Sequence, residues 1–190
     1  FHLLVLAPNS VQEMVDMVVT AFDKADQYRM PAMILADGFL GQMMEPIAFP
    51  EIKSETVEKP WATTGHGNKR AHNIVNSLYL KPEQLEKNVF ERYERYEKIK
   101  ETETDAEMYL TDDAEITLVA YGATARVVKS AVNMAREQGI KAGLVRPKTL
   151  WPFPVKQIQK AAESAEKFLV VEMSMGQMID DVKLALNCSK

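Results

Sequence analysis

The sequence predicts an α/β fold of parallel sheets with helices on both faces, and three observations carry that prediction. Strand-like and helix-like segments alternate along most of the 190 residues, the pattern of βαβ units. Several strand segments are apolar at every position, as strands covered on both sides are. The chain is 46% hydrophobic and 26% charged, the balance of a soluble globular protein long enough for one large domain or two small ones.

The first segment, LLVLA at 3–7, is a short apolar strand closed by Pro8. Ser10 and Glu13 follow as a capping box, and Val11, Met14, Val15, Val18 and Phe22 recur at helical spacing, so a helix with that face inward should run to about Arg29. AMILAD at 32–37 is the next strand and completes a βαβ unit. Such a lone unit leaves Val5, Met33 and Leu35 needing cover from the rest of the chain or from another copy, so self-association is expected.

From residue 41 to about 113 prolines, glycines and charges break every period. The stretch reads as a connector holding one charged helix, opened by Pro82, with Leu85, Val89, Tyr93 and Tyr96 as its narrow apolar stripe. The alternation then resumes. EITLVAYG is a strand, and ATARVVKSAVNMAREQG a helix with Val127, Val128, Ala131 and Met134 inward and Gly139 as its left-handed terminator. IKAGLVRP, PVKQIQKAAESA, KFLVVEMS and GQMIDDVKLAL continue as strand, helix, strand and helix.

Ligands of such sheets bind beyond the carboxyl ends of the strands. Four loops qualify, 37–41, 121–124, 146–154 and 172–177, and their candidate residues are Asp37, Gly38, Gly122, Thr124, Arg146, Trp151, Phe153 and Gln177. YGATAR has one glycine where a dinucleotide fingerprint has three, so Gly122 and Thr124 read as a capped helix start and less readily as a nucleotide cradle. Asp37 and Gly38 read as a turn leaving a strand. In RPKTLWPFP, three prolines stiffen the loop while Trp151 and Phe153 offer rigid apolar area, as a docking surface, as a plug for the domain's own core, or as both. Arg146 faces two open alternatives, an acidic partner or an anionic ligand.

His66, set between two glycines in TGHGNKR beside Lys69 and Arg70, marks either an anion-binding loop or a plain connector. The three histidines lack ligand partners at metal-binding spacing, and no nucleophile-and-base constellation stands out. Among the eleven methionines, Met43, Met44, Met173, Met175 and Met178 gather near loops, where they can fill joints between domains or subunits. A net charge of -4 disfavours nucleic acid and anionic membranes, and no apolar run is long enough to span a bilayer. The single cysteine, Cys188, has no internal partner and fits a reducing cytoplasm. FHLLVLAPNS has no initiator Met and no signal-peptide pattern, and opens within a strand as a piece of a longer chain would.

Six segments in order, VLAPNSVQEM, ILADGFLGQM, KPWATTGHGNKR, AYGATAR, RPKTLWPFP and VEMSMGQM, resemble the alpha subunit of 2-oxoacid:ferredoxin oxidoreductases. The 2-oxoisovalerate type is favoured for TGHGNKR and the Tyr-rich helix after it. The 2-oxoglutarate and pyruvate types share the fifth and sixth stretches.

The resemblance implies a thiamine-diphosphate-dependent decarboxylation of a 2-oxoacid, with electrons passing through iron–sulfur clusters to ferredoxin and the acyl group to coenzyme A. Each cubane cluster needs four thiolates, so the clusters are expected on a partner subunit. The family's Gly-Asp-Gly site for the diphosphate and magnesium is expected on a beta subunit; ADG at 36–38 lacks the first glycine, and Asn68 lies far downstream of it. The family's catalytic glutamate and Tyr-Pro-x-Thr-Pro strand end do not occur here. Accordingly no catalytic, cofactor or metal residue is expected in this chain, no cofactor is expected on it alone, and it is expected to be inactive by itself. By resemblance, residues 1–50 are the C-terminal part of a pyrimidine-binding domain, 51–114 the connector, and 115–190 a transketolase C-terminal-like domain. A non-catalytic assembly module and a nucleotide-binding α/β protein using 121–124 are the competing readings.

Overall fold

The computed structural model describes residues 2–50 and 58–189. The expected start of the connector at residue 51 falls outside them. β1 (Leu4–Leu6) leads into α1 (Val11–Tyr28), whose N-cap is Ser10: its hydroxyl accepts from the Glu13 N–H, while Glu13 accepts from the N–H of Asn9 at 2.8 Å. The helix stops at Arg29, which is left-handed at φ 48°. β2 (Ala32–Ile34) pairs in parallel with β1, Leu4 opposite Ala32.

α1 does not bury the face that its spacing suggests. Met17 packs on Leu4 and Leu6, with Ala21, Ala32 and Ile34 around them, and Tyr28 is buried at the helix end. Val18 and Phe22 point outward, Phe22 72% exposed. Apolar residues occur on two sides of this helix, so periodicity alone selected the wrong stripe.

The second sheet consists of β3 (Ala106–Tyr109), β4 (Ile116–Val119), β5 (Ala142–Pro147) and β7 (Lys167–Val170), in the order β3-β5-β4-β7. β5, β4 and β7 are parallel, as expected; β3 lies in the stretch read as connector and runs antiparallel to β5, Glu107 opposite Arg146. α4 (Gly122–Glu137) covers one face through Ala125, Val128 and Val132, which meet Ala142 and Leu144. Val127 and Met134, expected inward, are 71% and 60% exposed. α5 (Val155–Ala161) and α6 (Gln177–Ala185) cover the other face, where Ile158, Met178 and Val182 pack on Val119 and Val145. β5 is buried throughout. At Gly143 a β-carbon would stand 2.6 Å from the Leu110 carbonyl oxygen, so only glycine fits there.

RPKTLWPFP is not a free loop. After Pro147 the chain leaves the second sheet, and Thr149–Trp151 forms β6, antiparallel to β1 in a first sheet ordered β2-β1-β6. Trp151 lies edge-on to Tyr96 and His2, and Phe153 packs against the second-sheet core. Pro147, Pro152 and Pro154 are fully buried. The stiff segment is a strap between sheets, and Phe153 packs on the domain's own core as the plugging reading expects. α3 (Pro82–Thr102) anchors only its end: Ile99 is buried, while Leu85, Val89 and Tyr93 stay exposed.

Candidate functional site

Three of the four loops singled out from the sequence converge. A cleft of about 270 Å³ opens at the carboxyl ends of β2, β4 and β7, lined by Leu35 to Asp37, Tyr121, Gly122, Thr124 and Glu172 to Ser174. The loop at 146–154 does not line it. Three helix N-termini face this region, and each would offer an anion free N–H groups and a favourable dipole.

All three are already filled by carboxylates of the chain itself. Asp37 is the N-cap of α2 (Gly38–Gln42), accepting from the Leu40 N–H at 2.9 Å through Oδ1. Its Oδ2 accepts from the Ala123 N–H at 3.0 Å, in the first turn of α4, across 86 positions of sequence. Asp37 is therefore a clamp between the two halves of the molecule, beyond the simple turn expected of it. Gly122 makes the approach possible: it is left-handed at φ 60°, and a β-carbon there would stand 3.2 Å from Asp37 Oδ2. Thr124 does not cap α4, whose N-cap residue Tyr121 makes no side-chain cap bond. Burial pushes the Asp37 carboxyl up, but the backbone N–H groups of Leu40, Ala123 and Phe39 outweigh it and hold the group below the ordinary carboxylate value.

Glu172 repeats the device at α6. It accepts from the N–H of Met178 at 3.0 Å and of Ile179 at 3.3 Å, and from the Ser174 hydroxyl. Burial raises its carboxyl, and those donors bring it below the usual range. Gln177, the residue chosen from this loop by sequence, has an exposed side chain, and its backbone N–H is among the groups that lower the Glu172 carboxyl. The sign missed was an acid at a strand end just before a Ser-Met-Gly turn into a helix.

Arg146 is equally committed. It is buried, donates to both Glu13 oxygens at 2.9 and 3.0 Å, and gives its Nε–H to Glu107 at 2.8 Å. Of its two open alternatives the acidic partner is the correct one. Burial lowers its pKa, and Glu13 and Glu107 more than restore it. Glu107 also accepts from Lys129 at 2.5 Å. Beside the cleft, Phe39, Met43, Val127 and Met173 line an apolar groove of about 590 Å³, while Met178 is core. Met44 and Met175 are almost fully exposed.

The two carboxylates that line the cleft among the described residues, Asp37 and Glu172, are bonded to backbone N–H groups, and their negative charge makes the cleft repel anions. Among the described residues no group of three or more His, Cys, Asp or Glu is placed to hold a metal. The diphosphate of thiamine diphosphate does not fit: at α4 or α6 it would meet Asp37 or Glu172 in the position it needs.

The matches to known proteins run the length of the chain. The family model described as pyruvate flavodoxin/ferredoxin oxidoreductase, thiamine diP-bdg, matches residues 1–131, and that of pyruvate:ferredoxin oxidoreductase core domain II matches residues 114–190. The chain belongs to the 2-oxoacid:ferredoxin oxidoreductase family. It is 50% identical over 97% of its length to the ketoisovalerate oxidoreductase subunit VorB of Methanothermobacter marburgensis, covering 53% of that protein. It is 34% identical to the 2-oxoglutarate synthase subunit KorA of the same organism, covering 56% of it. The chain thus spans about half the length of the curated relatives it matches. Among solved structures, a 2-oxoglutarate:ferredoxin oxidoreductase from Magnetococcus marinus, described with 2-oxoglutarate, coenzyme A and succinyl-CoA bound, superposes over 96% of this chain and 37% of its own. That superposition has a TM-score of 0.73 at 20% identity, a likeness of fold.

Proposed function

We propose that this chain is part of the alpha-type subunit of a thiamine-diphosphate-dependent 2-oxoacid:ferredoxin oxidoreductase, with 2-oxoisovalerate as the favoured substrate and an acyl-CoA as product. The observation that carries the reading is the 50% identity, sustained over 97% of the chain, to a protein named as a ketoisovalerate oxidoreductase subunit. Identity is 34% to the 2-oxoglutarate relative and 31% to a pyruvate synthase subunit of Pyrococcus abyssi, which supports the branched-chain preference over both alternatives.

The part these residues play is scaffolding. Asp37, Arg146 and the β6 strap hold one sheet against the other: Asp37 is bonded to backbone N–H groups of α2 and α4, and Arg146 to Glu13 and Glu107. Thiamine diphosphate, magnesium and coenzyme A are assigned to other segments and to a beta subunit, and the iron–sulfur clusters to a cysteine-bearing partner that hands electrons to ferredoxin. The relatives are named as subunits, which supports companion chains. No helix among the described residues is long and apolar enough to cross a membrane, and a cytoplasmic location accords with the lone cysteine.

The test is to express the complete subunit with its partners and measure ferredoxin reduction with 2-oxoisovalerate, 2-oxoglutarate and pyruvate in turn. Highest kcat/KM with 2-oxoisovalerate is expected, and far better turnover of pyruvate would overturn the branched-chain reading. The chain alone is expected neither to turn over a 2-oxoacid nor to bind thiamine diphosphate in calorimetry.

A further inference from the structure

The loop carrying TGHGNKR has no part in the cleft just described, yet it is built as a small receptor. Asn73 donates through Nδ2 to the carbonyls of Pro60 at 2.6 Å and Ala62 at 2.9 Å. Arg70 donates to the carbonyls of Ala71, Ala62 and Gly65 at 3.0, 3.2 and 3.0 Å. Those two side chains draw the loop closed on itself. Gly65, Gly67 and Asn68 all have positive φ, the backbone sense that forms concave, N–H-lined turns.

The result is a cleft of about 90 Å³ lined by Thr63, Gly65, His66, Arg70, His72 and Asn73. That is room for about three water molecules, or for one tetrahedral oxyanion. None of its lining residues is acidic, and the His66 and His72 rings meet edge to face at 4.1 Å between centroids.

One hydrogen bond decides which kind of ligand suits this cleft. His66 Nδ1 accepts from the Asn68 N–H at 3.1 Å. A neutral imidazole that accepts at Nδ1 carries its proton on Nε2, where it can only donate. A metal ion needs that nitrogen bare and would also sit beside a guanidinium; an anion needs a donor and gains from the guanidinium. We propose that this loop binds a phosphate group, free or as the monoester end of a larger molecule, with His66, His72, Thr63 and Arg70 as its donors and positive field. The inference is independent of which 2-oxoacid the family member takes.

The test uses the 190-residue chain and its three histidines. His2 packs against Tyr96 and edge-on to Trp151, outside the loop's lining, and serves as an internal control. Imidazole C–H resonances are followed by NMR at fixed pH during titration with inorganic phosphate, with adenosine 5′-monophosphate, with adenosine, and with sodium chloride at matched ionic strength.

Saturable shifts of His66 and His72, absent at His2 and absent with chloride, are expected with both phosphates. Tighter binding of the nucleotide identifies an ester as the natural ligand, and equal binding identifies free phosphate. His72→Gln should weaken binding about tenfold, the worth of one charge-assisted hydrogen bond. Thr63→Val, which leaves the loop's carbonyl braces in place, should weaken it less. Linear shifts at all three histidines, binding of adenosine equal to that of the nucleotide, an unchanged affinity in both variants, or shifts with zinc chloride but none with phosphate would each overturn the proposal.

Discussion

The two sheets are made differently. The second is closed: Val119, Val145, Ile158 and Val182 fill one face and Val128, Val132 and Leu144 the other, all buried. The first has three short strands, and its buried cluster is Leu4, Leu6 and Met17. Phe22, Met33 and Leu35 are left exposed on its helix and edge strand. One sheet has its own core, while the other is held by ties to it, namely the β6 strap, the Arg146–Glu13 pair and the Asp37 bond to Ala123. A difference of this kind is expected to show as unequal local stability, with the smaller sheet opening at lower cost.

The sharpest way to break the comparison is Arg146→Met. Removing the cation leaves Glu13 and Glu107 without their shared buried partner, and loss of about 3–5 kcal/mol is expected in urea denaturation. Amide exchange should show β1 unprotected well before β4. If both sheets lose protection together, they are one cooperative unit and the contrast fails.

Next in size is Gly143→Ala, which forces a β-carbon against the Leu110 carbonyl oxygen and the Ala114 methyl. A cost of about 1–3 kcal/mol is expected, confined to the closed sheet. Asp37→Ala removes the side-chain cap of α2 and the acceptor at α4, and about 1–2 kcal/mol should follow. This one falls on the junction, so exchange should rise at residues 32–42 and at the start of α4 together.

Acid should act on the same bonds. Asp37, Glu107 and Glu172 all have carboxyls held below their ordinary values, near 3.8 for Asp and 4.5 for Glu. Their stabilisation is complete above those values and is lost as pH falls below them through the depressed folded values. Asp181, raised by burial and then by Asp180 and Glu172, works in the opposite sense and gains relief there. Stability against urea measured from pH 6 to 3 should therefore fall, less steeply in Asp37→Ala than in the parent. The smallest effect is expected from Phe22→Ser: within about 0.5 kcal/mol for folding, but with weaker self-association in sedimentation if the open face of α1 joins copies of the chain.

Much of the fold was legible locally. Ser10 and Glu13 mark the start of α1, Arg29 its end, Pro82 the start of α3 and Gly139 the end of α4, because capping and chain reversal are settled within a few residues. The choice of buried face was less legible, as Phe22 and Val127 show: an apolar residue on an amphipathic helix does not say whether a neighbour exists to cover it. β3 and β6 escaped notice for a related reason. Strands of four and three residues carry almost no period of their own and exist because β5 and β1 offer free edges.

By itself the sequence determined the alternation of elements and the order of segments that carries the family likeness, since both reside in short-range pattern. Tertiary structure alone decided what the polar residues are for. Arg146 finds Glu13 across 133 positions and Asp37 finds Ala123 across 86. A charged side chain is ambiguous until folding brings its partner within about 3 Å, because hydrogen bonds act at that range and not along the chain.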